Sequence, residues 1–388
     1  MSSHSRLTFL FAVLLAAGGL ARAQETPITP ESLNASAAPT AFSFGEDPAR
    51  RLVINGFGVA TYAYNFNTDE NSFADSALAI SLSNLITDQI SVFAQVTVAR
   101  EAASPFVGDE GNFEHDVSTD IDNLQVAWVP SPRSGLSLTF GKFDSPLAIE
   151  RDDAPLNFQA TNSFTFDFAR PVKFTGLEAH ESFSPKFEGW AIFGNGWDND
   201  TDNNNAKTGA VYALWNPSLS YHFGLGVVQG GEKDGLTGDQ RTTAVATILM
   251  QPCESWVYGE EFVGGREPHA AVDGGEAKWF ADMFFVHHRF GRHWAGTLRG
   301  EYFDDADGSR TGIPQILRSV TLSPQYLVGG GFYGLYRNYE HTSLRLPELA
   351  LRLDLRWDRS SESVFRTRDE GVGRRDGYSA TFQTVFLF

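Results

Sequence analysis

The chain is poor in sulfur and in positive charge. Cys253 is its one cysteine, and only 3 of its 388 residues are methionine. A single thiol closes no intramolecular disulfide and builds no cysteine metal site, so neither staple organises this fold. Lysine and arginine number 30 against 48 aspartates and glutamates, a formal charge of −18. So acidic a chain disfavours nucleic-acid binding, which needs a basic surface to meet phosphates. Long apolar runs are also missing beyond the first 23 residues. That excludes a membrane-spanning helix in the mature chain. It does not exclude a membrane β-barrel, whose strands carry only a weak alternating signal. No Gly-x-Ser-x-Gly motif is present, so no nucleophile elbow is expected.

The N-terminus holds a different pattern. Arg6 precedes a short apolar run from Leu7 to Ala17, and Ala21 and Ala23 stand before Gln24. A basic start, a short apolar core and a small-x-small site read as a cleaved secretory leader over residues 1–23. Its loss removes Arg6 and Arg22 and takes the charge to −20. Residues 24–50 are rich in Pro, Ser, Ala and Thr and read as a mobile periplasmic extension. Residues 51–388 form the folded body.

Aromatics are plentiful, at 13% of residues, with 32 phenylalanines. From about Arg51 onward, β-type segments recur between turn residues. In Glu348 to Asp358, Leu349, Leu351, Leu353, Leu355 and Trp357 share one face and Arg352, Asp354, Arg356 and Asp358 the other. The final run from Tyr378 to Phe388 alternates to the last residue. A soluble sandwich would turn such leucines inward, and a barrel would turn them toward lipid. Periodicity does not separate the two senses. The connections do more. Short turns near 85–89, 130–134, 184–185, 216–218, 251–254 and 291–292 alternate with long polar stretches near 66–75, 102–118, 144–173, 197–205, 230–240, 264–276, 304–314 and 358–376. Tight periplasmic turns and long outer loops produce this asymmetry in outer-membrane barrels. The count is sixteen strands, with about fourteen or eighteen left open by the stretch 327–347.

Export, loop alternation and a last strand ending on an aromatic together resemble bacterial outer-membrane β-barrels. In that class the terminal aromatic, here Phe388, is a signal read by the barrel-assembly machinery. A narrower resemblance rests on Gly141, Lys142 and Phe143, on Glu150, Asn157, Ser163, Pro171 and Gly176, and on Asn195 to Asp198 with Asn205 and Lys207. With Gly300 to Gly308 and Ser319 to Tyr326, these are similar to the β-barrel porin type 2 family over most of residues 52–388. Residues 327–347 depart from that pattern and look inserted. The resemblance implies an all-β, transmembrane antiparallel β-barrel that passes small hydrophilic solutes or ions, without catalytic residue, cofactor or metal. It implies outer-membrane lipids, lipopolysaccharide and the assembly machinery as partners. Homotrimers are common among porins.

The third long stretch, 144–173, carries the candidate site. Disordered loops are poor in aromatics, and this one has Phe158, Phe164, Phe166 and Phe168, so it is expected to pack on the barrel interior. General porins fold their third outer loop into the lumen. By that analogy Glu150, Asp152, Asp153 and Asp167 form an acidic rim beside Arg151, Arg170 and Lys173. Arg299, Glu301, Arg352, Asp354 and Arg356 are expected on the lumenal wall, with the arginines as an opposing basic face. The excess negative charge favours cations weakly if it lines the path. Asp198 to Asn205 offers alternate oxygen ligands but has Asn203 and Gly209 where a calcium loop needs Gly and Glu, so it reads as a solvated loop. Two rivals remain. One is a structural or adhesive barrel with a plugged lumen. The other is an outer-membrane lipid hydrolase using one of His222, His287, His288 or His293.

Overall fold

A computed structural model of the protein describes residues 42–44, 52–73, 76–100, 117–131, 134–218, 220–329, 349–369 and 372–388. The proposed leader, and all of the proposed extension except 42–44, lie outside these. Sixteen long strands form one antiparallel sheet: β1 Leu52–Asn65, β2 Ser76–Thr87, β3 Ile90–Arg100, β4 Val117–Trp128, β5 Leu136–Asp144, β6 Lys173–Ser184, β7 Phe187–Gly194, β8 Thr208–Ser218, β9 Tyr221–Lys233, β10 Leu236–Cys253, β11 Trp256–Glu267, β12 Ala277–Arg289, β13 Trp294–Asp305, β14 Gln315–Val328, β15 Leu349–Ser360 and β16 Asp376–Leu387. Two three-residue outliers, Phe42–Phe44 and Glu70–Ser72, add to β1.

Each strand pairs with its neighbour in the chain, and the last returns to the first. β16 pairs with β1 from Phe57↔Leu387 to Asn65↔Ser379. Gly56 and Phe388 then exchange both backbone hydrogen bonds, at 2.9 and 3.0 Å. Closure removes the free first and last edges of the sheet, which is what a strand structure in lipid requires. The terminal aromatics complete the seam. The Phe386 ring lies over Gly58 and the Phe388 ring over Gly56, where any Cβ would overlap them.

The alternation runs in the membrane sense. Leu177, Phe140, Phe193, Leu225 and Leu355 face outward with 45 to 65% of their surface exposed. Thr61, Ser81, Gln95, Thr297 and Gln383 point inward and are buried. Aromatics gather at the turn end of the outer surface, where Trp256 stacks on His288 at 3.9 Å and Trp294 meets Tyr326 at 5.0 Å. Such a girdle marks the membrane interface.

The connections alternate in length largely as expected, with one difference. The stretch 230–240 is no long loop: β9 and β10 run on through Lys233↔Leu236, and Asp234 and Gly235 make the turn. Gly235 has φ +69°, the left-handed conformation that a two-residue hairpin demands. Most of 327–347 lies outside the described residues. Val328 pairs directly with Leu349, so β14 and β15 are neighbours and the count is sixteen.

Candidate functional site

Residues 145–172 leave β5 and return into β6 without crossing outside the wall. Their local structure is short and irregular: a 3₁₀ turn at Ala154–Leu156 and a π-helical turn at Thr165–Ala169. Backbone of this kind has many unpaired amides and carbonyls, and inside a barrel they must find partners. Inward side chains of β11 to β16 supply them.

Asp354 accepts from the Ala160 amide (3.0 Å), the Thr161 amide (2.9 Å) and the Thr161 hydroxyl (2.8 Å). Glu301 accepts from the Phe164 amide at 2.6 Å, and Glu261 from the Ile149 amide at 2.8 Å. Arginines hold the carbonyls. Arg352 donates to Gln159 O and Ala154 O, both at 2.9 Å. Arg299 donates to Thr161 O at 2.6 Å and Asn162 O at 3.0 Å, and Arg356 to Asn162 O at 2.5 Å. Gln325 donates to Phe158 O.

Charge pairs lock the same contact. Arg299 bridges Glu150 (2.5 Å) and Glu301 (2.9 Å), and Arg170 meets Glu261 at 2.5 Å. Arg170, Glu261 and Arg299 are essentially without solvent contact. Glu150 also accepts from the Ser163 amide (2.9 Å) and hydroxyl (2.5 Å). Buried ions are tolerable only when paired and hydrogen-bonded in this way. Apolar anchors add to the grip. Ile149 and Phe158 pack with Leu249, Val257, Met283 and Phe285 of the wall. Phe164 and Ala169 pack with Val263, Trp279 and Phe303, and Phe168 leans on that cluster.

The predicted site residues therefore occupy two environments. Arg299 and Arg352 touch the loop itself and do not face it across a water gap, and Arg170 is tied to the wall. Arg356 is spent on Asp358 (2.8 Å) and stacks over Phe164 at 4.7 Å. Arg151 folds back on Ser145 O at 3.0 Å. The carboxylates are freer. Asp152 and Asp167 are exposed, although Lys173 pairs with Asp152 at 3.1 Å, and Asp153 takes a 2.6 Å hydrogen bond from Gln95 on the opposite wall. Enclosure by protein raises all three, Asp152 to about 6 and Asp153 and Asp167 to about 7. Lys173 opposes the rise at Asp152 and Arg356 at Asp167, whereas Asp144 adds to it at Asp153.

Sequence reasoning missed Glu261, Asp122, Asp144 and Asp200. Glu261 was findable, because it alternates with Tyr258 and Phe262 and shares the opposite face with Val257 and Val263, although Glu260 on the outward face blurs that pattern. The histidines are engaged in packing: His287 stacks on Phe158 at 4.0 Å and pairs with Thr297 at 2.8 Å. His288 points outward, so the two adjacent imidazoles diverge as expected. His222 pairs with Asn216 at 2.7 Å and His293 with Leu327 O at 2.9 Å. Asp198 and Asp202 cap loop amides, and among the described residues no group of three or more potential metal ligands converges.

A family model described as "Putative beta-barrel porin-2, OmpL-like" matches residues 53–388. No curated protein matches in sequence. Among solved structures, the anion-selective porin from Comamonas acidovorans is similar at TM-score 0.55 and 11% identity, covering 87% of this chain and 99% of that one. Salmonella typhi OmpF, in complex with daunomycin, gives TM-score 0.59 at 10% identity over 89% and 100%. Outer-membrane expressed OmpT of Vibrio cholerae gives 0.56 at 10% identity over 89% and 100%. At these identities the likeness is one of fold.

Proposed function

We propose that this chain, which belongs to the beta-barrel porin-2, OmpL-like family, is an outer-membrane porin through which small hydrophilic solutes and ions diffuse passively. Export by the leader 1–23 and insertion from the Phe388-ended strand bring it there. The inward loop 144–173 narrows the lumen, and the passage prefers cations weakly. One observation carries this reading. The loop is fastened to β11–β16 by the very arginines that would otherwise line the path, while Asp152 and Asp167 keep solvent access. A constriction whose arginines are consumed and whose Asp152 and Asp167 still reach solvent selects by field for positive ions.

The other half of the interior is not clamped by those arginines. There Ser81, Gln95, Asn123, Thr139, Glu178 and Asn216 put polar groups on the wall from β2 to β8, beside an apolar cluster that includes Trp190, Ile192, Tyr212 and Leu214. The chemistry needs no catalyst, and the histidines sit in packing roles. The packing of Phe158 and Phe164 favours a second reading, a barrel plugged on one side and structural in role. Single-channel recording of the refolded mature chain under a potassium chloride gradient separates them. Stepwise conductance with a reversal potential of cation sign is expected. Silence from folded barrel would sink the porin reading and leave the plug.

A further inference from the structure

Near the loop end of the outward face, cations stand opposite cations. Arg266 of β11 lies directly across from Lys278 of β12, and Arg318 of β14 directly across from Arg359 of β15. All four are exposed, while their chain neighbours Glu267, Ala277, Leu317 and Ser360 are buried on the inner side. Like charges directly opposite on one sheet face destabilise the pairing. The chain's own carboxylates relieve this only in part. Glu276 meets Lys278 at 3.0 Å and Asp376 meets Arg359 at 3.3 Å, both where water competes. Arg266 and Arg318 form no ion pair among the described residues, and Arg318 lies over the Tyr302 ring at 5.5 Å. Asp304, on β13 between the two pairs, accepts from the Tyr302 hydroxyl at 3.3 Å.

Their height is a second, independent observation. Trp256 and Tyr326 belong to the aromatic girdle at the turn end. From Trp256 to Arg266 the wall climbs about 25 Å along the membrane normal, and from Tyr326 to Arg318 about 20 Å, at ~3.3 Å per residue and a tilt of about 40°. The apolar band of an outer-membrane barrel is about 25 Å tall. The four cations therefore stand at its upper edge, at the level of lipid headgroups. Below Arg318 and Arg359 the face is apolar, with Val320, Leu322 and Leu355 42 to 50% exposed. Below Arg266 and Lys278, Glu260 and Asp282 interrupt it.

We propose that these pairs bind the phosphates of an outer-leaflet lipid, with Arg318 and Arg359 as the principal contact and Arg266 and Lys278 as a second. The proposal rests on the outer-membrane placement within the porin reading, not on an open pore. Guanidinium groups meet phosphate oxygens with two parallel hydrogen bonds. A phosphate between Arg318 and Arg359 turns a repulsive cross-strand pair into a shared clamp. The acyl chains of the same lipid lie on Val320, Leu322 and Leu355. The contact is direct and needs no bridging divalent cation.

The test uses the refolded full mature chain in a neutral detergent, with lipopolysaccharide as probe and the unfolding temperature as readout. Wild type is expected to be stabilised with a chelator present, and to be left unmoved by dephosphorylated lipopolysaccharide or inorganic phosphate. Arg318→Gln with Arg359→Gln is expected to weaken the apparent affinity about tenfold or more, as loss of two charge-assisted contacts requires. Arg266→Gln with Lys278→Gln is expected to weaken it less. Should the first double variant fail to fold, Arg318→Gln alone and the second double variant carry the test. Equal binding by wild type and variants overturns the site. So does equal stabilisation by the dephosphorylated lipid or by inorganic phosphate, or a requirement for divalent cations. Potassium current from the same preparation is read in parallel, and silence with lipid binding intact sinks the porin reading and leaves this site standing.

Discussion

At the scale of single residues, sequence patterning placed Arg299, Glu301, Arg352, Asp354 and Arg356 on the inward face but could not name their partners. Those partners are carbonyls and amides between Ala154 and Phe164, and an aperiodic loop announces no register. The clamp invites a direct test. Arg299→Ala leaves Glu150 and Glu301 buried without their shared cation, and breaking such a pair costs about 3–5 kcal/mol. Urea unfolding in detergent should report that loss, and single-channel conductance should rise and become noisy as the loop loosens. Unchanged conductance would mean the loop is held elsewhere. The carboxylates supply a pH test. Enclosure among protein groups, the first cause at each, raises Asp152 to about 6 and Asp153 and Asp167 to about 7. A raised carboxyl is neutral below its pKa and charged above it. Cation preference should therefore be full at pH 8 and decline as the pH falls through 7 and 6. Reversal potentials at fixed gradient measure this, and a flat profile would remove these three from the selective path.

At the scale of elements, the legible part was the strands and the alternation of their connections, because a period of two survives any tertiary context. The hairpin at 230–240 was misjudged. Polar residues at the ends of β9 and β10 read as loop, although Asp234-Gly235 is a tight-turn signal in its own right. Strands that project beyond the bilayer need no apolar face, so polarity there says nothing about pairing. The closing seam makes the opposite point. Gly58 is required not by its backbone but because the Phe386 ring occupies its outward space. Gly58→Val should destabilise the folded barrel by about 1–3 kcal/mol, as overpacking does. Ala60→Val, next on the same face and exposed, should be close to neutral. Unfolding midpoints of the two variants in detergent give the comparison, and equal midpoints would deny the ring-over-glycine contact any weight.

At the scale of the whole molecule, the sequence left one binary choice, whether the leucines of β15 face a core or lipid, because alternation is the same in both. Closure decides it. A closed sheet with its own loop folded against the inner wall has room inside for Arg352 and Asp354 and none for a second apolar layer, so the apolar faces must look outward. This choice has a depth-dependent consequence that a soluble sandwich does not share. Leu355 is 45% exposed midway along β15, and Leu349 lies at its turn end. An arginine on the lipid face costs about 2–4 kcal/mol at the midplane and about 0–1 near an interface. In lipid bilayers Leu355→Arg should therefore be several-fold more damaging to folding yield than Leu349→Arg. Transfer to a detergent that tolerates the charge should narrow the gap. In a soluble sandwich both leucines would be core, both substitutions would be severe, and no change of amphiphile would distinguish them. The difference between the two positions, and its dependence on the bilayer, measures which way the molecule turns its apolar surface.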